Sequence, residues 1–131
     1  MGQMLCSICL KPPVSEQLAD KQLLDDSEMI KKRLFQFASE ADTTSPGALD
    51  DPSCHMKRMP DELKELRKKG IGRHRVYYTG NHRACNYDVV LIKPFKKAGT
   101  DDDDDRAFQR RLINILADRS TKSDLIELPK V

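Results

Sequence analysis

Arg73, Arg75 and Tyr77 fall at every second position of GRHRVYYTG, residues 72–80, and Lys93, Lys96 and Lys97 stud the end of DVVLIKPFKK, residues 88–97. Guanidinium groups grip phosphate oxygens bidentately. Lysine or histidine moves protons when neighbouring cations lower its pKa, and tyrosine stacks on a base. An RNA phosphodiester can be cut without a metal when its own 2′-hydroxyl attacks the adjacent phosphate. The protein then supplies a base for that hydroxyl, an acid for the leaving 5′-oxygen and fixed cations around the transition state. These two segments hold the inventory for that chemistry.

Other chemistry-bearing residues make weaker cases. Cys6 and Cys9 form a C-x-x-C pair, and CSIC resembles the opening of a RING-type zinc domain, which needs further ligand pairs. Cys6, Cys9, His82 and Cys85 have the donor types for one tetrahedral zinc site, but the two halves are far apart in the chain and neither lies in a recognisable ribbon. The expectation is therefore reduced thiols, no metal and no cofactor, with no disulfide because nothing in the N-terminal stretch reads as a secretory signal. Cys54 and His55 are adjacent, and neighbours on a chain rarely face each other usefully. No phosphate-cradling glycine loop, G-x-S-x-G elbow or H-E-x-x-H helix is present. The five aspartates 101–105 read as a solvated charge run.

The 131 residues fit one compact domain. Charged residues make up 34% and aromatics 5%, so the core is expected to be small and aliphatic. No apolar run approaches 18 residues, so no membrane span and a cytoplasmic location are expected. The overall charge of +2 hides an asymmetry. Residues 1–55 carry 5 Lys/Arg against 9 Asp/Glu, residues 56–97 carry 12 against 4, and residues 98–131 carry 6 against 8. A cationic middle between acidic flanks points to a polyanion-binding face.

The elements that must position these residues follow from local pattern. Residues 1–14 read as irregular, stopped by Pro12 and Pro13; 15–117 read as the single domain and 118–131 as a flexible tail with a short extended piece at 125–128. Ser15 caps a helix to about Leu24, and Ser27 caps a second over 28–41, with Ile30, Leu34, Phe37, Ala38 and Ala41 on one face. Residues 73–79 alternate as a strand, and residues 87–93 are apolar enough for a central strand covered on both faces. The aspartate run precedes a helix over 106–117, with Phe108, Leu112, Ile115 and Leu116 inward. MPDELKELRKKGIG is ambiguous between a short helix and a strand.

At these residues the chain resembles the RelE/HigB/ParE superfamily of bacterial toxins, nearest the HigB-like branch. The matches are Glu65-Leu66-Arg67, Gly72-Arg73-His74-Arg75-Val76-Tyr77-Tyr78, Val89 to Lys97, and Arg106-Ala107 with Arg110-Arg111 in the last helix. They span roughly residues 60–117. The resemblance implies an α/β (α+β) fold: a helical hairpin packed on a small, twisted, mainly antiparallel sheet, with the E-L-R segment on a strand. It implies a metal-independent endoribonuclease that cuts mRNA at the ribosome and is restrained by a cognate antitoxin. Carried over by position, Arg73, Arg75, Lys93 and Lys96 are the catalytic candidates, and Arg67, Tyr77, Arg83 and Lys97 the RNA-binding ones. His74 is the base by residue type, but alternation sets it opposite Arg73 and Arg75, as a packed histidine. The tail after residue 118 lacks the Tyr or His that many ribonuclease members use. The alternatives are a same-fold toxin that poisons gyrase and a small zinc-stabilised nucleic-acid-binding protein.

Overall fold

A computed structural model describes residues 5–19, 21–39, 49, 54–56, 59–81, 86–94, 105–120 and 123–129. Strand β1 (Leu5–Leu10) leads into helices α1 (Pro12–Ala19) and α2 (Lys21–Ser39). A single 3-10 turn, Asp61–Leu63, precedes a meander of β2 (Arg67–Ile71), β3 (His74–Asn81) and β4 (Asn86–Pro94). Helix α3 (Arg106–Ala117) and strand β5 (Ser123–Pro129) complete the chain. The fold is mixed α and β, and its five-stranded sheet has the order β2-β3-β4-β1-β5. β1 runs parallel to β4, and every other pairing is antiparallel.

Both faces of the sheet are covered. Val14 of α1 and Ile30, Leu34 and Phe35 of α2 pack on Ile8, Val76, Tyr78, Val89 and Ile92 on one side. Phe108, Leu112 and Ile115 of α3, with Leu63 and Leu66, pack on Tyr77, Val90 and Leu91 on the other. β4 is the middle strand, which accounts for its unbroken apolar run. Asp105 caps α3, its carboxylate accepting the Ala107 amide at 2.9 Å.

The two ends of the chain differ from the sequence expectation. Residues 5–10 are a strand rather than an irregular lead, and residues 123–129 form an edge strand rather than a tail, each paired with the other. Pro12 and Pro13 begin a helix instead of preventing one. Proline needs no amide partner in a first turn and its φ already suits a helix, and the Lys11 carbonyl accepts from Val14 and Ser15. The Glu65-Leu66-Arg67 segment is divided: Glu65 lies in a turn and only Arg67 is in β2. The expected positions Ala41, Leu18, Leu23, Leu24 and Ala38 lie outside the described residues or side chains.

β1 pairs with β4 only as far as Leu10 opposite Val89, so the last turn of β4 needs another partner on that edge. Gln17 of α1 supplies it. Its Nε2 donates to the Ile92 carbonyl at 2.8 Å and its Oε1 accepts the Ile92 amide at 3.1 Å, as a neighbouring strand would. Ile92 is buried, so Gln17→Leu strands both groups. We expect a loss of about 1–3 kcal/mol in urea denaturation, with faster hydrogen exchange at the Ile92 amide. Unchanged exchange there would disprove the role of Gln17.

Candidate nucleic-acid interface

The β3–β4 register sets Arg75 directly opposite Lys93. Opposed residues share a face with Cβ atoms about 4.5–5.5 Å apart, so two cations stand side by side where one phosphate can bridge them. Both are half-exposed. The face is the one that α3 covers, because Lys93 Nζ sits 4.4 Å from the centroid of the Phe108 ring. That cation–π contact holds the ammonium over the first turn of α3. One row further along, Lys68 of β2 opposes Tyr77, adding a third half-exposed cation to the same face. Lys68 escaped the sequence reading because its face depends on the β2–β3 register; its position two residues before Gly70, which opposes Arg75, is the only local hint.

Other candidates take structural positions. Tyr77 is 1% exposed and meets Phe108 edge-on at 5.4 Å, so its ring is a wall of the core and not a platform for a base. Arg73 is not on the strand face with Arg75. It occupies the two-residue turn between β2 and β3, where Gly72 has φ +57, and its Nη2 donates to Asp26 Oδ2 of α2 at 3.1 Å. His74 is on the α2 side, as alternation requires, and is buried, with Nδ1 3.7 Å from the same Asp26 oxygen. Asp26 thus pins the hairpin turn to α2 and occupies the neighbourhood of the one histidine in these strands among the described side chains.

Arg67 is also on the α2 side and buried. Its Nη1 donates to the Leu49 carbonyl at 3.5 Å and its Nη2 to the Gly80 carbonyl at 3.2 Å. Tyr78 Oη donates to the same Leu49 carbonyl. Burial pushes the Tyr78 and Tyr87 phenols above the ordinary tyrosine value, and the Arg67 guanidinium pulls both part of the way back. An RNA phosphate has no approach to a guanidinium in this setting.

No protein-family model, curated protein or solved structure matches this chain. Function must therefore be argued from the site. Lys96, Lys97 and Arg83 lie outside the described residues, as do His82, Cys85 and the side chain of Cys6. Cys9 is half-buried with the Ser7 hydroxyl 3.7 Å from its sulfur. Among the described residues no three His, Cys, Asp or Glu side chains gather as a metal site, and no described helix is long and apolar enough to cross a membrane. What the sheet brings together is Arg75, Lys93 and Lys68 beside the first turn of α3. That arrangement can hold a phosphodiester and stabilise added negative charge on it.

Proposed function

We propose that this chain is a RelE/HigB-like toxin, an endoribonuclease that binds mRNA on the Arg75–Lys93 pair and cleaves it in the cytoplasm, at the ribosome, without a metal. The observation that carries this reading is the cross-strand opposition of Arg75 and Lys93 beside Phe108. Support comes also from the mixed sheet with helices on both faces and from the motif order in residues 60–117. The helical hairpin of that family corresponds in this reading to α1 and α2, and a cognate antitoxin holds the activity in check. Arg75 and Lys93 neutralise the dianionic transition state. Lys96 is the further candidate for proton transfer.

A same-fold toxin that binds without cutting is the second reading. It is favoured by one observation: the described β2, β3 and β4 side chains on the Arg75 face include lysine and arginine but no histidine, since His74 is buried on the other side. Induced expression of the wild-type chain is expected to arrest growth and to create new mRNA 5′ ends in primer extension. Removing one transition-state donor costs about 100-fold in rate, so Arg75→Ala and Lys93→Ala should each abolish those ends at equal protein level. Growth arrest without new ends assigns the chain to the second reading. Variants as toxic and as cleaving as the wild type refute the site.

A further inference from the structure

One flank of α3 carries an open groove of about 430 Å³ lined by Pro13, Ala107, Arg110, Arg111, Asn114 and Asp118. Its volume falls in the range of small-ligand clefts, about 300–1,000 Å³. Arg110 and Arg111 are exposed, and neither forms an ion pair or hydrogen bond with a described residue. At the far end, Lys11 donates to the Asp118 carbonyl, and the Asp118 carboxylate accepts the Ser120 amide at 2.9 Å. The Ser120 hydrogen bonds hold that carboxyl below its usual range, so it is ionised beside the Lys11 ammonium. The near end is different. Ala107 lines the groove, and the next residue, Phe108, is the ring beneath Lys93. The groove therefore begins one residue along α3 from the ring that Lys93 overlies.

We infer that this groove is a second nucleotide subsite, in which Arg110 and Arg111 hold the phosphate adjoining the one on Arg75 and Lys93. This rests on the proposed RNA-binding role and extends it. Three residues of helix rise about 4.5 Å, so Arg111 stands roughly one turn along from Phe108. From that offset an arginine side chain can reach a phosphate next to one held at Lys93. Asn114 offers hydrogen bonds to the sugar or base. Asp118 balances Lys11, so this end offers no net positive charge to a further phosphate, and the groove takes one nucleotide unit. An acidic protein segment shares the phosphate-like charge, but it would lack the continuity with a second cationic site that this groove has.

The test is fluorescence anisotropy with labelled oligouridylate, ten nucleotides long, against the dinucleotide UpU. Arg110→Gln with Arg111→Gln should weaken decamer binding about tenfold and leave UpU binding unchanged. The salt dependence should become shallower by about 0.7 in log–log slope, one phosphate's worth. Both arginines are exposed, so thermal melting should match the wild type. Asp118→Asn should tighten decamer binding. If the arginine pair has no effect while Arg75→Gln with Lys93→Gln abolishes binding, the groove inference is wrong and the primary site stands. If the wild type binds no decamer, the RNA reading itself falls. Displacement of the decamer by hexa-aspartate at equal concentration would identify an acidic-protein groove and overturn the inference.

Discussion

Arg67→Met is expected to destabilise the protein by about 1–3 kcal/mol, although it replaces a charged side chain with an apolar one of similar length. The half-buried Gly80 carbonyl would lose its guanidinium donor, and the buried Leu49 carbonyl would keep only the Tyr78 hydroxyl. Each buried acceptor left unmade costs about 1–3 kcal/mol, and better packing by methionine recovers part of this. The Tyr87 phenol would also lose the cation that moderates its burial, so it should titrate still higher. Urea denaturation at neutral pH gives the first effect and ultraviolet titration of tyrosine the second. The comparison matters because the family resemblance makes Arg67 an RNA ligand. A variant with wild-type stability and lost RNA affinity would reverse the structural assignment.

Gly80→Ala should be worse, with a loss of roughly 3 kcal/mol or more. Gly80 pairs with Tyr87 at the end of the β3–β4 ladder, and its φ is +157. A Cβ there would lie 2.4 Å from the Asn86 carbonyl oxygen and 2.7 Å from the Tyr87 Cα. Both obstacles are main chain of β4, the central strand, so neither can swing aside as a side chain would. Gly80 also presents the carbonyl that Arg67 grips, so the two substitutions should be non-additive. Gly72→Ala is the control. Its φ of +57 disfavours a side chain, but the atom in the way is the Cε of Met29, the end of a flexible chain. A cost of about 1–2 kcal/mol is expected there. Equal denaturation midpoints for Gly80→Ala and Gly72→Ala would show that the strand approach at Gly80 is not tight.

Helix α3 and strands β3 and β4 are legible from local pattern, to within a residue or two at their ends. Alternation from His74 to Thr79, the apolar run from Tyr87 to Ile92, and Asp105 ahead of Phe108, Leu112 and Ile115 are each complete within a dozen residues. The burial of His74 is likewise readable, because period two assigns it a face. Strand β1 is not, and of β5 only the piece 125–128 is. Their short segments become strands through partners at the far end of the chain: Ser7 opposite Asn86, Ile8 opposite Ile126. The fates of the arginines divide in the same way. Composition makes Arg67, Arg73 and Arg75 equivalent phosphate ligands. A turn at Gly72–Arg73 and a β2 register that aligns Arg67 with Tyr78 send one to an ion pair on α2, bury another beneath the core and leave Arg75 across from Lys93. Residue type and short-range periodicity carry the element and its inward face. Which cations meet depends on hydrogen-bond register between strands, and a slip of one residue would exchange every face.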